Sequence, residues 1–364
     1  MAPLGRISWM GQVDAALASV SDMLYSWGLM WLLIGAGIFF TVRTRGVQVR
    51  HTDAIAASVI GSRDGSHGGI TSFQAFAVGL ACRVGTGNIV GVALALIMGG
   101  PGAVLWMWLV AILGTATAFS EATLAQLFKV RRPDGTFRGG PAYYISRGLR
   151  LPILGGVFAV VFLIANGLVM PMVQANAITA SLQGAGGLSP SLGAVLVVAL
   201  TAPVLLGGLR AMARVAEYLA PFMALAYLVL VLAILLTHPV QAWEALRSII
   251  EGAFGLRQGL GGLAGGVTAA LLNGVRRGLF SNEAGLGGAA CAAGSATVSH
   301  PVQQGFIQAF GVVVDTLFVC TATALAILVA GADVLHPGVS AKESAGTLTQ
   351  DAIAHLVGEW SRWP

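Results

Sequence analysis

The dominant pattern in this chain is a series of long apolar segments separated by short polar or basic ones. Eight segments approach or exceed the ~20 residues that a helix needs to cross ~30 Å of hydrocarbon. They cover residues 22–42, 71–98, 101–128, 152–183, 190–208, 215–237, 258–276 and 302–331. Between the sixth and the seventh, Trp243, Leu246, Ile249 and Ile250 recur at helical spacing, which predicts an amphipathic helix along the membrane interface. The pattern therefore predicts an all-α polytopic membrane protein.

Composition supports this class. Of the 364 residues, 56% are hydrophobic and 10% are charged, whereas a soluble domain carries ~25% charged residues. The expected surroundings are therefore a lipid bilayer. The chain has neither an HExxH nor a GxSxG motif, so we expect no enzymatic activity. Its three cysteines and six histidines lack metal-ligand spacing, and no cofactor is predicted.

The distribution of basic residues predicts the orientation in the membrane. Fourteen Lys and Arg lie in the loops after the first, third, fifth and seventh segments, and five lie on the opposite side. By the positive-inside rule those four loops are cytoplasmic and the N-terminus is extracytoplasmic. This bias accounts for the net charge of +5 without a nucleic-acid partner.

The second apolar segment is interrupted near its middle by "RVGTGNIVG", Arg83 to Gly91. Unpaired backbone groups in lipid cost several kcal/mol, so irregular backbone occurs there only inside protein or beside a wet cavity. An unwound helix offers carbonyl groups to a cation and N–H groups to a carboxylate, as in transporters with discontinuous helices. Close packing through glycines is the alternative, but it leaves Arg83, Thr86 and Asn88 unexplained. We therefore predict a site for an amino acid and a cation here.

A second interruption is predicted in the seventh apolar segment, at Gly265, Gly266 and Thr268. Four segments separate it from the first, as expected if each interrupted span opens one of two five-helix repeats. The two breaks should then face each other. The predicted organisation is an additional N-terminal helix at 22–42, a first repeat at 71–237, a partial second repeat at 258–331 and an extracytoplasmic loop at 332–364.

Ionisable side chains inside apolar segments are costly and indicate function. Asp315, midway along the eighth segment, is predicted to be a cation ligand, with an ion pair to Arg83 as the alternative. Glu121 either accepts hydrogen bonds from an unwound segment or is a buried neutral carboxyl group. Glu283 is placed at the cytoplasmic end of the seventh segment, where a gating ion pair with the neighbouring arginines is the less favoured interpretation.

Other polar residues complete the predicted site. Gln174 and Asn176 are two positions apart on one helix, so at most one of them faces a substrate. Gln74 lies ~15 Å of helix before the first break, a position that suits an inner gate. The predicted substrate-binding residues are Gly85, Thr86, Gly87, Gln174, Gly265, Gly266 and Thr268. The predicted sodium ligands are Ala81, Val84, Asn88 and Asp315, and the predicted gating or structural residues are Gln74, Arg83, Glu121, Asn176 and Glu283.

Three motifs, "GTGNI", "GGPAYYI" and "RGLFSNEAG", resemble the alanine or glycine:cation symporter family, and the similarity runs through nearly the whole chain. The resemblance implies a leucine-transporter-type inverted-repeat fold. It also implies symport of a small neutral amino acid, alanine or glycine, across the cytoplasmic membrane, with sodium as the coupling ion and no other cofactor.

Relative to that family, the chain resembles a C-terminally truncated member with about eight transmembrane helices and an incomplete second repeat. Family members continue through further spans after the region similar to "LTQDAIAHLVG". The alternative function is therefore a non-transporting remnant, or a subunit that needs a partner.

Overall fold

The computed structural model describes residues 4–51, 69–255, 263–331 and 345–358, and residues 53, 55, 57, 58, 334 and 335. Most of these residues are helical, as the apolar pattern predicts. The first nine helices are α1 (Leu4–Met23), α2 (Met30–Arg43), α3 (Val47–Arg50), α4 (Ser72–Arg83), α5 (Val92–Gly99), α6 (Ala103–Leu127), α7 (Pro141–Arg147), α8 (Pro152–Ile164) and α9 (Met170–Gly186). The others are α10 (Pro190–Leu206), α11 (Gly208–Thr237), α12 (Pro239–Ala253), α13 (Leu263–Asn282), α14 (Gly288–Ser295), α15 (Pro301–Val312), α16 (Thr321–Ala330) and α17 (Leu348–Val357).

Several helices are joined by π-helical turns rather than by loops. These turns are Leu24–Leu29, Gly87–Gly91, Ala165–Val169 and Val313–Cys320. A π-helical turn has i→i+5 hydrogen bonds instead of the i→i+4 bonds of an α-helix, and it often marks a functional site. Two of the four turns contain residues of the predicted site, Asn88 and Asp315. Five helices begin at proline, whose missing N–H costs nothing at that position: α7, α8, α10, α12 and α15.

In the described part of the chain, four helical stretches are long and apolar enough to cross a membrane. They are Ala103–Leu127, Pro152–Gly186, Gly208–Thr237 and Pro301–Ala330. A fifth span is possible if α4 and the helix after it, which meet at 47°, are counted together. The described residues thus make a helical membrane protein, while the leucine-transporter-type fold, the division into repeats and the number of about eight spans stay predictions.

The helices differ strongly in burial, which separates a centre from a periphery. In the apolar windows of α6 and of the α15–α16 stretch, 61% and 67% of the residues are buried, whereas only 6% are buried in the α8–α9 stretch. α6 packs against α13 and α15, and α4 packs against α11 and α14. The centre therefore combines the interrupted segment that contains α4 with α6 and helices from the second half of the chain.

A short hairpin between α6 and α7 adds the only strands in the described part of the chain. β1 (Val130–Arg131) pairs antiparallel with β2 (Phe137–Arg138), so the all-α prediction missed this element. Lys129 ties the hairpin to the chain after α14, since its Nζ donates to the backbone oxygen of Ala296 at 2.8 Å and lies over the Phe137 ring. Burial lowers the pKa of Lys129.

The predicted amphipathic helix is α12, and its apolar face is divided between the core and the outer surface of the molecule. Ala245, Ile249 and Ala253 are buried against the core, whereas Trp243 and Ile250 are exposed. Within the predicted extracytoplasmic loop 332–364, which stays a prediction, α17 forms and packs against α16. Residues 332, 333, 336–344 and 359–364 of that loop lie outside the described residues.

Gly102 and Gly252 hold α12 against the start of α6. A Cβ on Gly102 would collide with the backbone of Gly252 and Ala253, and a Cβ on Gly252 would lie 2.9 Å from the Gly102 nitrogen. Backbone atoms cannot give way as the end of a flexible side chain can. The close approach of the two segments therefore requires glycine at these positions.

We expect Gly102→Ala to destabilise the protein by about 1–3 kcal/mol, the usual cost of overpacking a well-packed contact. The matched control is Gly35→Ala, where a new Cβ would meet no atom within 4 Å. The measurement is the thermal unfolding midpoint of the detergent-solubilised protein. Equal midpoints for the two variants would show that α12 does not depend on this contact.

Candidate functional site

The first predicted break is present. α4 begins with a capping box, in which Thr71 and Gln74 exchange side-chain and backbone hydrogen bonds, and it ends at Arg83. Val84 then has an extended backbone, with φ −74° and ψ 102°. Helical geometry resumes in the Gly87–Gly91 turn, in a direction 47° away from α4. The prediction that this span is interrupted near Gly85–Asn88 is confirmed.

Side chains satisfy the backbone N–H groups that this break exposes. Gly85 N donates to Asn88 Oδ1 at 2.9 Å, and Thr86 N donates to Gln174 Oε1 at 3.1 Å. A Cβ on Gly85 would lie 2.6 Å from Gln174 Nε2, so this glycine makes room for the amide. Gln174 therefore reaches the break as predicted, whereas Asn176 is exposed on another face of α9.

The second predicted break is wrong in position. α13 runs without interruption from Leu263 to Asn282, so Gly265, Gly266 and Thr268 belong to a continuous helix. The helix is interrupted later, between Asn282 and Gly288, where Glu283, Gly285 and Gly287 have φ of 50°, 92° and 94°. This left-handed backbone suits glycine and ends the α-helix. The helix continues beyond residue 276, where the predicted span ends, to Asn282, and residues 258–262 of that span lie outside the described part of the chain.

The displaced break changes the roles of several predicted residues. Fifteen residues of helix, about 22 Å at ~1.5 Å per residue, separate Gly266 from Ser281, so Gly265, Gly266 and Thr268 cannot join a site at Gly85–Asn88. Glu283 does not lie at the end of the span but inside the break, where it is buried. The neighbouring Arg276 instead pairs with Asp22 at 2.8 Å, and no ion pair joins Glu283 to an arginine among the described residues.

The two observed breaks lie next to each other. A Cβ on Gly87 would be 3.2 Å from the Ser281 Cα and 3.5 Å from the Phe280 ring. Arg83 crosses between them, because its Nε donates to the Asn282 carbonyl at 2.9 Å and its Nη1 donates to Gln308 Oε1 at 3.1 Å. The guanidinium of one interrupted helix thus satisfies a carbonyl at the end of the other.

Asp315 receives hydrogen bonds from both interrupted helices. Asn88 Nδ2 donates to Asp315 Oδ1 at 2.6 Å, and Ser281 Oγ donates to Oδ2 at 2.9 Å. Thr316 Oγ1 also donates to Oδ2, at 2.7 Å. The Cys320 thiol completes this group, lying 3.3 Å from Asn88 Nδ2 and 3.1 Å from Ser281 Oγ. Asp315, Asn88 and Thr316 are all completely buried.

The structure rules out one of the two interpretations of Asp315, the ion pair with Arg83. No nitrogen of Arg83 lies within ion-pair distance of Asp315 in the described residues, so the predicted alternative of an Arg83–Asp315 pair is wrong. No group of three or more His, Cys, Asp or Glu side chains converges as a metal site there either. The predicted sodium ligands Ala81, Val84, Asn88 and Asp315 remain a prediction.

Two of the predicted gating or structural residues, Glu121 and Gln74, have different partners. Glu121 faces the backbone N–H groups of Gly285 and Gly287 in the second break, although neither of its oxygens meets strict hydrogen-bond geometry. Gln74, the predicted inner gate, donates from Nε2 to Glu217 Oε2 at 3.0 Å. The sequence analysis missed Glu217, Ser281, Gln308 and Cys320. Ser281 has a sequence signal, since it belongs to the quoted motif "RGLFSNEAG".

Comparison with known proteins identifies the family. A model of the sodium:alanine symporter family matches residues 10–364 of this chain. The chain belongs to this family. Members of the family are transporters rather than enzymes, so the prediction of no enzymatic activity is confirmed.

Three similar proteins have names that state what they transport. The probable sodium/glutamine symporter GlnT of Bacillus subtilis is 42% identical over 343 residues, which cover 94% of this chain and 70% of that protein. A putative sodium/proton-dependent alanine carrier of the same organism is 44% identical over 315 residues, covering 86% and 64%. The sodium/alanine symporter AgcS of Methanococcus maripaludis is 37% identical over 316 residues, covering 84% and 69%.

This chain spans between 64% and 70% of the length of these three relatives. All three are named as symporters or carriers, which does not favour the alternative of a non-transporting remnant. Their names mention different amino acids, however. Family membership therefore does not identify the substrate of this chain, which has to be inferred from its own site.

The contacts of Asp315 generate a prediction about energetic coupling. In a double-mutant cycle, Asn88→Ala and Asp315→Ala should couple by about 0.5–3 kcal/mol, because the two side chains are in direct contact. Arg83→Ala and Asp315→Ala should couple less, since these two side chains do not form an ion pair. The measurement is the free energy of unfolding in mixed micelles. A larger coupling for the arginine pair would restore the ion-pair interpretation.

Proposed function

We propose that this protein carries out sodium-coupled symport of a small neutral amino acid, alanine or glycine, across the cytoplasmic membrane. The observation that carries the proposal is the contact between two helix interruptions, at Gly85–Asn88 and at 283–287, in the buried centre of the molecule. Transporters built from inverted repeats bind substrate and coupling ion where two such helices meet.

The amino acid's carboxylate has a defined place in this proposal. Thr86 N–H now donates to the side-chain oxygen of Gln174, and a neutral amide oxygen occupies the position that a carboxylate would take. An ionised acceptor makes a stronger hydrogen bond to the same N–H. The substrate carboxylate would therefore displace Gln174 from the break, and the displaced side chain would form part of the binding-site wall.

The space between the breaks limits the size of the substrate. A Cβ on Gly85 would lie 2.6 Å from Gln174 Nε2 and one on Gly87 would lie 3.2 Å from the Ser281 Cα, so the space beside both glycines is narrow. Such a site accommodates a hydrogen or a methyl side chain on the substrate, which supports glycine or alanine.

Asp315 and Asn88 are the proposed centre of the sodium site, together with the carbonyl groups of Ala81 and Val84. Asp315 is a completely buried carboxylate with no cation within ion-pair distance in the described part of the chain. Hard oxygen donors suit a hard cation. Since Asn88 contacts both Gly85 and Asp315, a sodium ion here would also fix the geometry of the first break.

The direct experiment is uptake of labelled alanine and glycine into proteoliposomes, with and without an inward sodium gradient. Sodium-driven accumulation of either amino acid supports the proposal. Accumulation that ignores sodium and follows a proton gradient alone would contradict the assigned coupling ion.

We expect Gln174→Glu to weaken alanine binding at least about tenfold, a loss of about 1.4 kcal/mol. A glutamate would place a fixed anion on Thr86 N–H and repel the substrate carboxylate. The matched control is Gln183→Glu, an exposed position on the same helix α9. The measurement is displacement of labelled alanine from the purified protein in sodium. Equal alanine affinities for the two variants would show that the substrate carboxylate does not bind at Thr86 N–H.

We expect Gly87→Ala to reduce alanine uptake about tenfold more than glycine uptake, since one methyl group is worth about 1–3 kcal/mol in a tight site. The control is Gly265→Ala, where a Cβ would meet no atom within 4 Å. A selective effect at Gly265 would show that this residue, rather than Gly87, limits the size of the substrate. An equal loss of both substrates at Gly87 would mean that this glycine serves packing alone.

A further inference from the structure

Two side chains at the end of α6 hold the end of α14. Gln126 Nε2 donates to the backbone oxygens of Ala293 and Ala296, to the latter at 3.0 Å. Lys129 Nζ donates to the same Ala296 oxygen at 2.8 Å and to Gln126 Oε1 at 2.6 Å. We call Gln126 and Lys129, together with these two carbonyl groups, the latch. The last carbonyl groups of a helix have no partner within it, so the latch caps the end of α14.

The same end of α14 is joined to the start of α4. Ile70 N donates to the Ser295 oxygen at 3.4 Å, and Thr297 N donates to the Ile70 oxygen at 3.0 Å. Ile70 and Ala296 form a parallel bridge. Since α4 leads into the first break and α14 follows the second, one group of hydrogen bonds closes the molecule at the ends of both interrupted helices.

The surfaces that the latch holds together meet without large side chains between them. The eight residues of α14 are glycine, alanine, cysteine and serine only. A Cβ on Gly139, directly after β2, would lie 2.8 Å from the Gly294 Cα, and one on Gly294 would lie 2.5 Å from the Gly139 Cα. Helices in a membrane associate through packing and interhelical hydrogen bonds. These surfaces can part without unpacking a large side chain, so the hydrogen bonds of the latch decide whether they stay together.

Water can replace the contacts of the latch. Lys129 lies where the apolar helix α6 has ended, beside the exposed Arg131 and Arg132. Lys129 forms no ion pair with a described aspartate or glutamate, so its acceptors are the neutral oxygens of Gln126 and Ala296. The net contribution of such a hydrogen bond is small, because water bonds to the separated donor and acceptor in its place. The latch is therefore a contact that can break and form again.

We propose that Gln126 and Lys129 close the protein on this side, predicted to be cytoplasmic, and that the side opens when the end of α14 leaves them. α14 would pivot at the second break, where two glycines with positive φ supply the backbone freedom. The Asn282 carbonyl, which precedes the pivot, stays bonded to Arg83. The inference rests on the proposed function only because a transporter opens to each side in turn. It does not depend on which amino acid or ion is carried.

The test is the labelling rate of Thr297→Cys in the purified protein, measured with a water-soluble maleimide and located by mass spectrometry. The Thr297 hydroxyl is buried, and a Cβ on Gly69 would lie 2.6 Å from it and 3.3 Å from the Phe137 ring, so a thiol here is covered in the closed form. Adding Lys129→Met should raise the rate about tenfold, a shift of about 1.4 kcal/mol in the open–closed equilibrium. Adding Lys129→Arg, which keeps a cationic donor, should leave the rate low.

The matched control is Arg131→Met, which removes the same charge from an exposed position on β1 and should not change the labelling rate. Equal rates for Lys129→Met and Arg131→Met would overturn the latch. A rate for Lys129→Arg as high as that for Lys129→Met would overturn it as well, because the donor would then not matter.

A second pair of variants reaches the same closure without removing a donor. The methyl group of Gly294→Ala would push α14 away from Gly139 and should also raise the labelling rate at position 297. Its control is Gly156→Ala, where a Cβ would meet no atom within 4 Å. If Lys129→Met does not fold, faster labelling in Gly294→Ala than in Gly156→Ala supports the latch, and equal rates overturn it.

Uptake separates a failure of the latch from a failure of the proposed function. A maleimide adduct on Thr297→Cys would stand where Gly69 packs and hold this side open, so it should abolish alanine uptake into proteoliposomes. An adduct on the exposed control Ser299→Cys should not. Uptake that persists in fully labelled Thr297→Cys would overturn the latch. Absence of uptake in the unlabelled protein would contradict the proposed function instead, and the labelling rates would then decide on the latch alone.

Discussion

The centre of this protein depends on one constraint, which is that every backbone group freed by interrupting a helix inside an apolar environment needs a partner. Each unmet N–H or C=O would cost several kcal/mol. The structure meets this demand with side chains, one from the broken segment itself and others that reach between helices. Asn88 and Gln174 accept from the first break, and Arg83 donates to the carbonyl at the end of α13. The interruptions are thus stabilised by the same contacts that hold them together.

The first break could be predicted from the sequence, and the second could not be placed. "GTGN" stands out because glycine, a hydroxyl and an amide occur together in an otherwise apolar segment. In the second case the densest glycine run, at 261–266, drew the prediction, but its described glycines lie near the start of an unbroken helix, where glycine is tolerated. The true break includes Glu283 in a left-handed conformation. Such a conformation is rare for residues other than glycine and depends on tertiary contacts.

The polar residues show a similar division. The sequence indicated Asp315, Gln174 and Arg83 because each is expensive in an apolar segment. It did not indicate which of them meet, since that depends on how helices far apart in the chain pack. Arg83 and Asp315 look like an ion pair in a list of charges, yet Arg83 bonds to Asn282 and Gln308, and Asp315 bonds to Asn88 and Ser281. Amides and hydroxyl groups, which pattern analysis treats as ordinary, decide the arrangement.

The partners of the breaks also suggest how a substrate site can open and close without exposing unpaired groups. A side-chain oxygen such as that of Gln174 is held by one hydrogen bond, whose net contribution is about 1 kcal/mol. A ligand oxygen can therefore replace it at little cost, and the same N–H stays satisfied before and after the exchange. Arg83 differs, because it is buried and fixed at two points in other helices. The exchangeable contacts lie on the side of Gln174, and the permanent ones lie on the side of Arg83. This asymmetry makes the first break the place where binding can change the structure, and makes the second break the support against which it changes.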